Sequence, residues 1–161
     1  MNNFYDKFLL TIGCSQSVIQ HCKKVVEATE KFSNHSFINK DLVKRGATFH
    51  DIGRSKTHSI AHAQIGAEMC RQMGLPEPVA RIVECHIGAG LTSDECTLLR
   101  LAPRDCIPKT IEEKIVAHAD NTVQRKQINT VLDNVVSMVF LNRKIRKRIY
   151  RLSIDMQYFS D

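Results

Sequence analysis

The stretch Asn39-Lys40-Asp41-Leu42-Val43-Lys44-Arg45-Gly46-Ala47-Thr48-Phe49-His50-Asp51-Ile52-Gly53 decides how the chain is read. Asn39 suits an N-cap, because its side-chain oxygen can accept from an early backbone N–H. Leu42, Val43, Ala47 and His50 then recur on one face at helical spacing. Gly53 stands where such a helix would end. An amphipathic helix is expected here, with a histidine and an aspartate at the close of its buried face.

The same period recurs on either side. Ser15 would cap a helix reaching about Phe32, with Val18, Cys22, Val25 and Val26 as its apolar stripe. Another is expected from about Ser59 to Met73, stopped by Gly74 and Pro76. Pro78 suits the first turn of the next, which carries Val79, Ile82, Val83 and His86. Thr92-Ser93-Asp94-Glu95 and Thr110-Ile111-Glu112-Glu113 read as capping boxes. The first would open a short helix, and the second a helix through Asp120. Further helices are expected over Asn129 to Asn142 and Arg143 to about Tyr158. No convincing strand, hairpin signal or repeat is visible. The expected fold is all-α, one helical domain over 1–161, with its motif core over 15–125 and a basic helical extension over 126–161.

A chain of 161 residues is long enough for one core. Its 43% hydrophobic and 25% charged content is ordinary and argues against chain-wide disorder. No apolar run is long enough to span a bilayer, and the first residues do not form a signal sequence. A cytoplasmic location and no membrane partner follow as expectations. None of the six cysteines forms Cys-x-x-Cys, which argues against a zinc ribbon or a thioredoxin-like site. They read as small core residues. Much of the +6 net charge gathers at Arg143, Lys144, Arg146, Lys147, Arg148 and Arg151. This reads first as a solvated helix face, with nucleic-acid binding as the alternative. The segment lacks the glycine and aromatic interleaving of a single-strand platform.

Seven histidines matter through their positions. His21 shares the stripe of Val18 and Val25. His50 and Asp51 close the stretch quoted above. His62 lies one turn ahead of Gly66, a small residue that would admit a close neighbour. His86 continues the stripe of Val79, Ile82 and Val83, and Asp120 lies one turn beyond Val116. Ionisable groups thus occur on the apolar faces of at least four helices. Each buried polar group left unsatisfied costs about 1–3 kcal/mol, so these must satisfy one another. They could form a hydrogen-bonded polar core, or they could bind a divalent cation. Nitrogen and carboxylate donors suit iron, manganese, cobalt, nickel or zinc. His118, two residues from Asp120, should face elsewhere, and His35 sits in a polar stretch and should be exposed.

His50-Asp51-Ile52-Gly53, with His21 before it, His62 and His86 after it, and Ala119-Asp120 last, resembles the HD phosphohydrolase superfamily. His62-Ala63-Gln64-Ile65-Gly66-Ala67 and His118-Ala119-Asp120 look like motifs of its two-metal subgroup, which includes hydrolases of diadenosine tetraphosphate. The chain is also similar to small archaeal HD proteins. The resemblance implies a helical bundle, one or two divalent transition metals, and hydrolysis of a small phosphorylated substrate such as a nucleotide. It implies His21, His50, Asp51 and Asp120 as ligands of a shared site, and His62 and His86 as ligands of a second metal. Asp51 would bridge the two. Where relatives often carry lysine after the Gly, this chain has Arg54, which offers a planar fork to phosphate but does not readily give up a proton. Ile87-Gly88-Ala89-Gly90-Leu91 lacks the second histidine of the cyclic-dinucleotide branch. Asp51 and Arg54 are the expected catalytic residues, with Arg54 and His58 meeting the substrate's phosphate. Two rival functions share these features: a mixed-valence di-iron oxygenase on the same fold, and a non-catalytic nucleotide- or RNA-binding module.

Overall fold

The computed structural model describes residues 3–32, 35–124, 127–128 and 143–159. Helix α1 (Asn3–Thr11) comes first, and α2 (Gln16–Glu30) follows behind Ser15, whose hydroxyl accepts from the Val18 N–H. Helix α3 (Lys40–Phe49) starts behind Asn39, which accepts from the Leu42 N–H at 3.0 Å. A 3-10 turn (Ile52–Ser55) leads to α4 (His62–Gln72), α5 (Glu77–Cys85), α6 (Ser93–Leu98) and α7 (Ile111–Thr122). Helix α8 (Arg143–Gln157) comes last. Both capping boxes form, at Thr92 with Glu95 and at Thr110 with Glu113. The helix expected over 129–142 lies outside the described residues.

Helix α3 is central and packs against α2, α5 and α7. Helix α4 lies on α5 and on the 3-10 turn, and α8 lies on α7. One apolar cluster joins Val25, Phe32, Val43, Ile82, Ile115 and Met156. A second joins Leu9, Ile19, Phe49, Ile52, Val79 and Val83. All six cysteines are buried and unpaired, as small core residues should be. Among the described residues no helix is long and apolar enough to cross a membrane.

Three details depart from the sequence reading. Helix α1 was not anticipated: nine residues are too few to be helical on local preference alone. Tertiary packing makes it, through edge-on contacts of Tyr5 and Phe8 with Phe49. Strand β1 (Val123–Gln124) pairs antiparallel with β2 (Gln127–Ile128), although no strand was expected. A two-residue ladder is too short to leave an alternating pattern. Helix α4 begins at His62 rather than Ser59, because a turn over 59–61 intervenes.

Glu84 is a buried carboxylate that the sequence reading did not single out. Its oxygens accept from Arg81 at 2.9 Å, Arg104 at 3.0 Å and Arg71 at 3.4 Å. It therefore ties α4, α5 and the loop before α7 together. Burial alone would raise its pKa, but Arg104, Arg71 and Arg81 hold it below the ordinary value of 4.5. Its contribution is complete above that value and fades as pH falls below it. Glu84→Ala should cost about 3 kcal/mol in urea unfolding, the low end for a broken buried pair, because the guanidinium groups keep solvent contact. An unchanged midpoint would refute this.

Candidate metal centre

Five elements deliver the six expected ligand side chains to one place. His21 projects from the middle of α2, and Asp120 from the last turn of α7. His50 ends α3 and His86 ends α5, each as the C-cap residue. His62 is the first residue of α4. Asp51 sits between α3 and the 3-10 turn with φ −99° and ψ 13°, in the sparsely populated bridge region.

Three histidines are oriented by one device. Nδ1 of His50 donates to the Ala47 carbonyl at 2.8 Å. Nδ1 of His62 donates to Ser59 at 2.7 Å, and that of His86 to Val83 at 2.6 Å. Each partner is three residues back, so at α3 and α5 the ring also satisfies a carbonyl of the helix end. A carbonyl can only accept, so the proton is assigned to Nδ1 and the lone pair to Nε2. Such a bond fixes tautomer and ring angle in metal-ligating histidines.

The freed Nε2 atoms converge on Asp51. Its Oδ2 faces His50 at 3.8 Å and His21 at 3.9 Å. Its Oδ1 faces His62 at 3.0 Å and His86 at 3.7 Å. The two oxygens thus look at different histidine pairs. Asp120 Oδ1 lies 2.8 Å from His21 Nε2 and 3.5 Å from His50 Nε2, and so joins the first pair. Two donor groups result, His21–His50–Asp51 and Asp51–His62–His86, each with its ligand atoms within 4.8 Å of one another.

These groups fit one or two divalent ions. Ligands bonded at about 2.0–2.2 Å stand about 3–4 Å apart around a common ion, which is the spacing here. Proton bookkeeping points the same way. His62 and His86 Nε2 face each other at 3.2 Å, two lone pairs with no proton between them in the neutral rings. His50 Nε2 is fully buried and has no hydrogen-bond partner among the described residues. The charge balance also calls for a cation. Burial opposes charge on His50, yet Cys22, Asp51 and Asp120 push its pKa well above the usual imidazole value. Burial likewise opposes ionisation of Asp51 and Asp120, but their histidine neighbours hold both carboxyls far below the ordinary range.

Arg54 Nε forms an ion pair with Asp51 Oδ1 at 2.8 Å, and the side chain stays partly exposed. It fixes the carboxylate from outside the ligand set. Arg54→Ala should weaken metal binding or turnover about tenfold to a hundredfold, the usual effect of losing such an orienting partner. Metal titration of the two proteins checks this, and equal affinity and rate would contradict it. His58 lies on the turn before α4, exposed and without a hydrogen bond or ion pair among the described residues. Because α4 starts at His62, the two do not share a helix face. His118 faces away, as expected: it is buried edge-on against Phe32, and burial with Lys31 lowers it to about 4. His35 is only half exposed, because it stacks on Phe37. Gln64 was not expected to matter. It exchanges two hydrogen bonds with the Ala102 backbone, at 2.8 and 3.0 Å, and so clamps the loop before α7.

Comparison with known proteins agrees with this geometry. An uncharacterised protein of Methanocaldococcus jannaschii is 41% identical over 151 residues, 89% of either chain. The tRNA (cytidine(56)-2'-O)-methyltransferase of Thermoplasma volcanium is 42% identical over 129 residues, which are 78% of this chain but only 38% of that enzyme. The HD domain of the phosphodiesterase PgpH from L. monocytogenes, solved in complex with cyclic-di-AMP, superposes over 97% of this chain and 95% of its own. Its TM-score is 0.60 at 17% identity, a likeness of fold. The sequence pattern described as the HD domain matches residues 18–124, a span holding all six converging side chains, and the chain belongs to that family.

Proposed function

We propose that this protein is a metal-dependent phosphohydrolase that cleaves a phosphoester or phosphoanhydride of a nucleotide or of RNA. The carrying observation is the Asp51 carboxylate, whose two oxygens face separate histidine pairs at 3.0–3.9 Å. His21, His50, Asp51 and Asp120 would hold one ion, and Asp51, His62 and His86 a second, as in the two-metal subgroup. When bound, such ions polarise a phosphoryl oxygen and make water more acidic. The chain's own groups do the rest. Asp51 and Asp120 accept hydrogen bonds from water at the centre. The exposed end of Arg54 and the His58 ring neutralise phosphate charge at the rim.

Two relatives support a nucleotide-derived substrate. The PgpH domain binds a cyclic dinucleotide, and the Thermoplasma relative is named for tRNA. What they share is the phosphodiester link between nucleosides.

The test starts with protein purified without a chelating tag. Mass spectrometry should find one to two transition metals per chain, lost in a His50→Ala, Asp51→Ala double variant that keeps its helical signal. With manganese or cobalt added, a panel of dinucleotides, oligoribonucleotides and nucleoside polyphosphates should show turnover. A loaded protein that cleaves none of them would sink the proposal. Stripping the metal should also lower the unfolding temperature. An ion at a thousandfold its dissociation constant stabilises by about 4 kcal/mol, or roughly 10 °C for a chain of this size. A chelated sample that melts with the untreated one would argue against the site.

A further inference from the structure

Helix α8 is amphipathic in an unusual sense. Ile149, Leu152 and Met156 turn inward, with Ile145 beside them. Ile149 reaches Gly88, two residues beyond His86. Arg148 fastens the helix to the same segment, donating to Glu95 at 2.6 Å and to the Gly90 carbonyl at 3.0 Å. The outer face carries Arg143, Lys147 and Arg151, all exposed and none with an ion pair or hydrogen bond among the described residues. At i, i+4 and i+8 they form one row, about 6 Å apart. Like charges at this spacing weaken a helix, and Asp155, one turn beyond Arg151, offsets only the last of the three.

Two aromatic residues of the segment, counted as too few for a stacking platform in the sequence reading, are exposed by the fold beside this row. Tyr150 lies beside the row with 52% of its surface exposed, and Tyr158 stands at its end with 83%. Beyond Tyr158 a hollow of about 430 Å³ opens between Lys109, Lys114, Asp155 and Phe159. Phe159 is braced there by His35 and Phe37, from the opposite end of the sequence. Cations spaced by one to two nucleotides, at about 3.4 Å per stacked residue, beside upturned aromatic rings suit a strand whose bases are unpaired.

We propose that the outer face of α8, with Tyr150, Tyr158 and the adjoining hollow, binds single-stranded RNA. The choice of RNA rests on the function proposed above, whereas the cationic and aromatic surface does not. Because α8 is clamped to the segment after His86, a strand held on it is fixed relative to the metal centre.

The experiment uses the full, metal-loaded chain and a fluorescent oligoribonucleotide. Binding is followed by anisotropy, and strand integrity by gel. Three phosphate contacts predict a log–log salt slope of about −2, so an approximately fourfold rise in salt weakens binding roughly twentyfold. The triple variant Arg143→Ala, Lys147→Ala, Arg151→Ala should lose that slope. Tyr150→Ala and Tyr158→Ala should each weaken binding about tenfold and leave the slope alone. All these side chains are exposed, so the variants should unfold no earlier than the parent. They should also hydrolyse bis(p-nitrophenyl) phosphate, a diester too small to reach α8, at the parental rate. Binding without cleavage would support this surface while counting against RNA as the hydrolysed substrate. RNA binding that survives the triple variant overturns the inference. So does charge-dependent binding seen with duplex RNA or anionic phospholipid vesicles but not with the single strand.

Discussion

Asp51→Asn should abolish binding of both metals and reduce phosphodiester turnover by about a thousandfold or more, with the helical signal retained. Asparagine keeps the shape of the side chain but removes the negative charge that both donor groups share, and puts an NH2 that cannot ligate in place of one oxygen. The change therefore acts on both donor groups at once, because Oδ1 serves His62 and His86 while Oδ2 serves His21 and His50. It also takes from Arg54 its carboxylate partner. A thousandfold corresponds to about 4 kcal/mol of transition-state stabilisation, a reasonable share for bound ions. Asp120→Asn is the informative companion. Among the described residues Asp120 forms ion pairs with His21 and His50 and with neither histidine of the second group, so its loss should remove one ion and leave the other. Counting metals per chain in the two variants decides the matter. If Asp51→Asn still holds one ion at full occupancy, the carboxylate is not shared.

Gly53→Ala should disrupt the fold and the metal centre together. A Cβ at this position would lie 2.0 Å from the His62 carbonyl oxygen and 2.7 Å from the Gly66 nitrogen. Both are backbone atoms of α4, so no side chain can swing aside. Gly66 returns the contact, with its own Cβ position 3.0 Å from the Gly53 nitrogen. The methyl group must push the 3-10 turn off α4, at a cost of about 3 kcal/mol or more. The same displacement separates Asp51, two residues before Gly53, from His62, so metal affinity should fall with stability. Urea unfolding of the apo and loaded proteins would reveal both losses. Gly74→Ala provides the contrast. Nothing lies within 4 Å of its Cβ position, and only the left-handed φ of +73° resists the change. It should cost about 1 kcal/mol and leave metal binding unaltered. Equal costs at the two glycines would refute the steric account of Gly53.

The helices visible in the sequence share a physical feature. Each of α2, α3 and α5 through α7 has a local start signal, and α2 carries an apolar stripe of four residues besides. The N-cap bonds of Ser15 and Asn39 and the two capping boxes formed as read. These signals span three or four residues and need no distant partner. Helix α1 is only nine residues long and depends on the Phe49 ring, 41 residues beyond Phe8, so it was invisible until the chain folded. The late start of α4 has a similar cause, because the His62 ring bonds the Ser59 carbonyl and holds the turn.

The sequence alone determined that helices α2 to α8 form and which ionisable groups ride on their apolar faces, because both follow from the 3.6-residue period and the cost of burying charge. It also named all six side chains that converge. It did not determine how they meet. His21 and Asp120 are 99 positions apart, and no local pattern reports a 2.8 Å contact across that separation. Only the tertiary structure decided that the two oxygens of Asp51 turn to different histidine pairs, and that three Nδ1 atoms are tied back so that Nε2 faces inward. It alone also stood His35 and Phe37 beside the end of α8. Those relations arise from packing between helices distant in sequence, where backbone contact at Gly53 and Gly66 sets the distances to within an ångström.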